Sequence, residues 1–421
     1  MRVSISKSEI KGEVRAPSSK SYTIRGLMCA ALAKGESKIV YPLSSDDTEA
    51  ALNVLSQIGV GISQEKDVWG VSGGSFHAPP SDLFCGDSAA TLRFMTAICS
   101  LVPGKCRLTA GLSLSKRPVR PLVEALKQLG VKCSSQSEVP PVTVEGGRLN
   151  GGVTELPGDI SSQFVSALLF IAPFAEEGMT IRLTTPLESK PYIEMTIDCL
   201  RQFGIKVKPS EVLMKFEIPR QIYRPARYVV EGDWSSASYL LALGAVAGEV
   251  KVKNLNPESL QGDKMVPNFL KQMGASVAVR KDTVTVSKSR LKAISADLSD
   301  CIDLLPTMAV LAAIAEGTSE FVGISRARIK ESNRVAALRE GLQKMGVEVK
   351  EEGDRLTIIG SRPKGAAIDS KSDHRIAMAF GVLGAAVGDM VITGAECVSK
   401  TYPEFWGVLK SLGGEVKIDG E

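Results

Sequence analysis

Only two histidines occur in the 421 residues, and aromatic side chains make up 5% of the chain. The first scarcity excludes a histidine-built metal centre, and the second excludes platforms on which nucleic-acid bases stack. Charge of one sign is also in short supply: 51 basic against 47 acidic residues leave a net charge of +4, too little for a nucleic-acid-binding face. The eight cysteines, Cys29, Cys85, Cys99, Cys106, Cys133, Cys199, Cys301 and Cys397, form no C-x-x-C pair and lie mostly in apolar runs. They read as core thiols in a reducing compartment. No apolar run of membrane-spanning length, no signal or transit pattern, and no Walker or G-x-G-x-x-G signature occurs. The expectation is a cytoplasmic protein with no membrane partner, no nucleic-acid partner, no metal and no cofactor.

What is present is a repeat. LNVLSQIG, EALKQLG, DCLRQFG, NFLKQMG, EGLQKMG and GVLKSLG end at Gly59, Gly130, Gly204, Gly274, Gly346 and Gly413, spaced by 71, 74, 70, 72 and 67 residues. A leucine-spaced helix running into glycine is a helix stop, because the residue after the cap needs a positive φ. Five of the six stops precede a strand–turn–strand pattern, such as Val347–Val349 and Leu356–Ile359 around Gly353-Asp354. The sixth copy runs out of chain, while Met1 to Arg15 begin with strand alternation (Val3, Ile5, Ile10, Val14) that no helix precedes. The N-terminal segment is therefore expected to complete the sixth unit, so that both ends of the chain share one domain.

A second signal has the same period and another phase. Asp87, Asp159, Asp233, Asp303 and Asp373 lie 72, 74, 70 and 70 apart, each before an Ala/Leu/Met-rich run, and Pro17-Ser18-Ser19-Lys20-Ser21 holds the equivalent place in the first unit. Asp and Ser cap helix starts, which predicts a buried helix beginning at each cluster. A helix N-terminus carries about half a positive charge, so a set of parallel helix starts favours anions. The same clusters hold cations that a cap does not need. They are Lys20 and Arg25, Lys116-Arg117-Pro118 read as the beginning of another helix, Lys330-Glu331-Ser332-Asn333-Arg334, Asp373-His374-Arg375, and Lys400 before the last helix. His374 beside Arg375 suits an anion ligand, whereas His77 in a Pro/Gly-rich loop reads as a surface residue.

These residues, in order, resemble the 5-enolpyruvylshikimate-3-phosphate synthase family across essentially the whole chain. The motifs are Ser19-Lys20-Ser21 with Arg25, Lys116-Arg117-Pro118, Ser161-Ser162-Gln163, Ser189-Lys190-Pro191-Tyr192, Asp303, Lys330-Glu331 with Arg334, Asp373-His374-Arg375, and Lys400-Thr401. The resemblance implies an α/β (α+β) fold of six βαβαββ units, an inverse α/β barrel-like arrangement in two globular domains of three units, with the active site in the cleft. The domains expected are 15–224, and 1–14 plus 225–421, with crossovers near 12–16 and 222–228. It also implies single-chain enolpyruvyl transfer from phosphoenolpyruvate to shikimate 3-phosphate; like charges lining an empty cleft should repel one another, which predicts an open form that closes on the latter substrate. By resemblance, Lys20, Ser21, Arg25, Ser161, Ser162, Gln163, Ser189, Tyr192, Asp303 and Lys330 serve shikimate 3-phosphate. Lys20, Ala89, Arg117, Gln163, Arg334, His374, Arg375 and Lys400 serve phosphoenolpyruvate.

Asp303 is the implied base for the attacking hydroxyl, and Glu331, Lys20 and Lys400 remain alternatives for moving the methylene proton. A related transferase that acts on a UDP-linked amino sugar commonly carries a cysteine in a loop corresponding to Gly111–Arg117, which has none here. A non-enzymatic anion-binding scaffold would not need Asp303 and Glu331 among the cations. Two departures from the family pattern stand out. Asp87-Ser88-Ala89-Ala90 replaces the usual Asn-(Ala/Ser)-Gly-Thr, which predicts weak inhibition by the family inhibitor glyphosate, and Asn333 replaces the usual Asp.

Overall fold

All six repeat glycines adopt the left-handed conformation, with φ of 102°, 82°, 85°, 83°, 83° and 99° from Gly59 to Gly413. In each copy the N–H of the following residue donates back to a leucine carbonyl five positions earlier: Val60 to Leu55, Val131 to Leu126, Ile205 to Leu200, Ala275 to Leu270, Val347 to Leu342 and Gly414 to Leu409, at 2.9–3.2 Å. This closes the last helical turn and turns the chain toward the next strand. The six leucines are themselves fully buried. One residue therefore anchors the helix in the core and accepts the bond that ends it, and Leu270→Ala alone would cost about 2–5 kcal/mol.

The computed structural model describes Met1–Asp419. The chain divides into two compact units, Ser18–Val230, and Met1–Pro17 joined to the chain from Glu231 onward. The first holds helices α1 (Lys20–Leu32), α2 (Asp46–Gln57), α3 (Ala89–Ile98), α4 (Arg120–Gln128), α5 (Ser162–Ile171) and α6 (Lys190–Gln202). The second holds α7 (Trp234–Ala247), α8 (Val266–Gln272), α9 (Leu305–Ile314), α10 (Arg334–Lys344), α11 (His374–Val387) and α12 (Phe405–Ser411). Even-numbered helices are the ones that end at the repeat glycines.

Among the described residues the strands form six four-stranded sheets of one topology, a parallel pair followed by two antiparallel partners. In the sheet of the last repeat, Arg2–Ile5 lies between Met390–Thr393 and Val416–Asp419, antiparallel to both, so the N-terminus supplies the strand the last copy lacks. The next strand, Ile10–Arg15, pairs parallel to Gly248–Lys253 in the sheet of the fourth repeat. Arg227–Val229 likewise closes the sheet of the first repeat, parallel to Gly35–Val40. The N-terminal fifteen residues thus serve two repeats, a division that their alternation alone does not reveal.

The odd-numbered helices are buried along nearly their whole length. A helix apolar on every side has no solvent face to keep and sinks into the core. α7 approaches the strand Thr283–Ser287 so closely that a Cβ on Gly244 would lie 2.5 Å from the Val286 carbonyl oxygen. Their N-termini correct part of the capping expectation. Ser19, Ser161, Asp233 and Asp373 accept from backbone N–H groups as caps. Asp87 instead accepts from Ser113 N at 3.1 Å and Leu114 N at 2.9 Å, leaving Ser88 at the N-cap position, because its carboxylate holds the Gly111–Leu114 loop. Asp159 precedes the cap Ser161, and Asp303 sits in the 3-10 turn Ile302–Leu304 ahead of α9, where its carboxylate is taken by arginine rather than by the helix. Lys116 and Arg117 also do not begin a helix. Lys116 ends the turn Leu114–Lys116, and α4 begins only at Arg120 after Pro118.

Candidate active site

In the unit Ser18–Val230 the starts of α1, α2 and α3 are tied together. Lys20, the first residue of α1, makes a 2.8 Å ion pair with the buried Asp47 of α2. The Asp47 carbonyl accepts from Thr91 Oγ1 at 3.4 Å, and Thr91 Oγ1 lies 2.8 Å from Ser88 Oγ. Ala89 follows Ser88 as the first residue of α3 and is buried. Arg25, one and a half turns into α1, donates to Thr196 Oγ1 at 2.8 Å, Ser21 O at 3.0 Å and Tyr192 O at 3.2 Å. Its guanidinium lies over the rings of Phe94 and Tyr192. Burial lowers its pKa, with Tyr192 opposing that shift. Ser189 occupies the start of α6 in a left-handed conformation (φ 54°), which carries the chain into Lys190-Pro191-Tyr192.

Arg93 of α3 joins two predicted motifs. It donates to Ser161 Oγ at 3.0 Å, Gln163 Oε1 at 2.9 Å and Pro118 O at 3.1 Å, with its guanidinium over the Phe164 ring. Ser161 Oγ also accepts from Gln163 N, and Ser162 is the first residue of α5. Arg117, next to Pro118, is buried as well. Sequence reasoning missed Arg93 and Asp47. The available signal was a single arginine inside the otherwise uncharged, fully buried run Ala89–Ile98.

In the other unit the ion cluster has a centre. Arg334, 1% exposed at the start of α10, donates to Asp303 Oδ1 at 2.8 Å, Glu331 Oε2 at 2.6 Å, and Asp373 Oδ2 and Oδ1 at 2.8 and 3.3 Å. Burial alone would lower its pKa, but the three carboxylates outweigh that cost and hold it above the usual arginine value. The outer cations are Arg375 and Lys330, at 3.4 and 4.0 Å from Asp303, and Lys400, at 4.0 Å from Glu331. Burial pushes the Lys330 ammonium down to about 8, with Asp303 opposing; the 23% of its side chain still exposed tempers the shift. His374 is the buried first residue of α11, its Nδ1 3.8 Å from Asp373 Oδ1. Asp373 thus serves twice, as the cap of α11 and as an anchor for Arg334.

Asn333 caps α10 by accepting from Ala336 N at 3.1 Å, a task an aspartate would also perform. His77 is exposed in its loop. Among the described residues no group of three or more His, Cys, Asp or Glu is placed to hold a metal ion, and no helix is long and apolar enough to cross a membrane. Chemically, such clusters of cations and carboxylates suit the binding of anions and the movement of protons.

Residues 5–409 match the family model of EPSP synthase (3-phosphoshikimate 1-carboxyvinyltransferase). The chain belongs to the EPSP synthase family. A 3-phosphoshikimate 1-carboxyvinyltransferase of Dehalococcoides mccartyi is 51% identical over 421 residues, all of both chains. One from Methanocaldococcus jannaschii is 41% identical with 97% of each chain covered. Among solved structures, EPSP synthase from Acinetobacter baumannii superposes with a TM-score of 0.84 at 27% identity, covering 99% of this chain and 100% of that one. The enolpyruvyl transferase NikO from Streptomyces tendae shares the fold, with a TM-score of 0.78 at 18% identity and 99% and 98% of the two chains covered. The six-repeat α/β architecture is that of EPSP synthases.

Proposed function

We propose that this chain transfers the enolpyruvyl group of phosphoenolpyruvate to the 5-hydroxyl of shikimate 3-phosphate and releases phosphate, the step its full-length relatives are named for. The observation that carries the residue roles is the Arg334 cluster, in which a carboxylate able to act as base, Asp303, is held among cations suited to an anionic substrate.

The chemistry has two halves. In the first, Asp303 takes the 5-hydroxyl proton while the phosphoenolpyruvate methylene gains one. The carbon beside it then becomes electrophilic, and the new C–O bond forms. In the second, the methyl group gives a proton back, the C–O bond to phosphate breaks, and a vinyl ether remains. Glu331, Lys20 and Lys400 are the groups for the methylene proton; Glu331 is bonded to Arg334 and lies near Lys400.

Lys20, Ser21, Arg25, Ser161, Ser162, Gln163, Ser189, Tyr192 and Lys330 are assigned to shikimate 3-phosphate. Ala89, Arg117, Gln163, Arg334, His374, Arg375, Lys20 and Lys400 are assigned to phosphoenolpyruvate. The serines offer hydroxyls at helix starts and the arginines offer planar forks, matching phosphate and carboxylate groups. Cytoplasmic, single-chain action belongs to the same reading, and the eight free thiols suit a reducing compartment.

The test is phosphate release from phosphoenolpyruvate with and without shikimate 3-phosphate, for the wild type and Asp303→Ala. Strict dependence on shikimate 3-phosphate, lost in the variant, is expected. Release supported by UDP-N-acetylglucosamine instead would overturn the acceptor, and an active Asp303→Ala enzyme would overturn the base.

A further inference from the structure

Asp263 belongs to none of the motifs above, yet it is 4% exposed and sits in the short turn Gly262–Met265. Its Oδ2 accepts a very short hydrogen bond from Ser235 Oγ, on the second residue of α7. The chain leading to it is pinned to the same helix start. Gln261 Oε1 accepts from Trp234 N at 3.0 Å, and Gln261 Nε2 donates to Gly232 O at 2.8 Å and Ser259 Oγ at 3.1 Å. The Asp263 turn, the start of α7 and the turn carrying Asp303 all pack on one another. The charged and titratable groups facing Asp263 are Asp303, Arg375, Asp233 and Cys301.

A fold does not bury a carboxyl beside two others without cost. Burial first, and then Asp303, push the Asp263 carboxyl up to about 7, against the pull of Arg375 and the Ser235 hydrogen bond. Asp303, meanwhile, is ringed by cations: Arg334 at 2.8 Å, Arg375 at 3.4 Å and Lys330 at 4.0 Å. Cations so close favour a charged carboxylate and oppose its taking up a proton, which is a poor setting for a base.

We propose that Asp263 is a positioning residue for Asp303: when ionised, it offsets the field of the three cations, so that Asp303 can accept the 5-hydroxyl proton, and Ser235 holds it in place. The inference rests on the reading of Asp303 as base. Asp263 itself takes no proton from substrate and acts through charge alone. Below neutral pH it becomes protonated, the offset disappears, and turnover slows.

The experiment is kcat and KM between pH 5.5 and 8.5 for the wild type, Asp263→Asn, Ser235→Ala and Asp303→Ala. Asp263→Asn keeps the side-chain shape and removes the charge, so kcat should fall about tenfold at pH 8 and less than about twofold at pH 6, with both KM values little changed. Ser235→Ala removes a bond that favours the ionised form, so the acid limb of its kcat profile should move to higher pH. An Asp263→Asn enzyme with the wild-type profile, or with the same loss at both pH values, overturns the proposal. Should that variant not fold, an unmoved acid limb in Ser235→Ala overturns it instead. An active Asp303→Ala enzyme would refute the base reading itself, whereas an inactive one beside an unaltered Asp263→Asn enzyme refutes only the positioning role.

Discussion

Replacing Arg334 by methionine keeps an unbranched apolar stem and removes the guanidinium at the centre of the ion cluster. Four hydrogen bonds to three carboxylates are lost, from a side chain only 1% exposed. Each charge-assisted bond is worth roughly 1.5–3 kcal/mol, which for four gives a gross loss of about 6–12 kcal/mol. Relief of the arginine's own burial returns a large part of this, and removing one partner of a buried ion cluster costs about 3–5 kcal/mol net. Two of the three carboxylates left behind keep a cation within 4.0 Å, Asp303 with Arg375 and Lys330 and Glu331 with Lys400, which places the expected loss near the middle, about 4 kcal/mol at pH 8.

The loss should depend on pH in a definite direction. As pH falls toward 5, the uncompensated carboxylates of the variant take up protons and their mutual repulsion is relieved. Wild type, whose carboxylates are already paired, gains nothing comparable, so the difference should shrink to about half. Urea unfolding at pH 8 and pH 5 measures it, with a fall in midpoint of about 1–2 M at the higher pH. A loss under about 1 kcal/mol at pH 8, or an equal loss at both pH values, would refute the reasoning that Arg334 is held by charge rather than by shape.

Three further outcomes are expected. Ala89 is buried at the first position of α3, so Ala89→Gly should remove a methyl group beside the proposed phosphoenolpyruvate site and increase inhibition by glyphosate; unchanged inhibition would place Ala89 away from it. Burial pushes Lys330 down to about 8, so its charge is present below that pH and lost above it; KM for shikimate 3-phosphate should rise through pH 8 in the wild type and stay flat in Lys330→Met. Cys29, Cys85, Cys99, Cys106, Cys199 and Cys301 are buried, so a thiol reagent should label the native protein mainly at the half-buried Cys133 and Cys397; rapid labelling of all eight would contradict the packing.

The amino-acid sequence alone determined the features that depend on neighbours a few residues away. A helix ends where Leu-x-x-(Leu, Met, Phe or Ile)-Gly can close its last turn, and six such endings, five of them followed by strand pairs, defined six repeats. The unpaired strand in the last copy and the unexplained one at the start pointed to each other, as the antiparallel pairing of Arg2–Ile5 with Val416–Asp419 shows. Only the tertiary structure decided which polar residue at each repeat caps a helix and which reaches elsewhere. Asp87, Asp303 and Asp373 occupy the same phase of the repeat, yet one holds a loop, one pairs with arginine, and one caps a helix while also anchoring Arg334. Arg93 and Asp263 escaped notice for the same reason: their partners lie 68 and 28 residues away, beyond any local pattern. A buried charge is placed by whatever its partners can offer in space, and no propensity of its own segment states what those partners are.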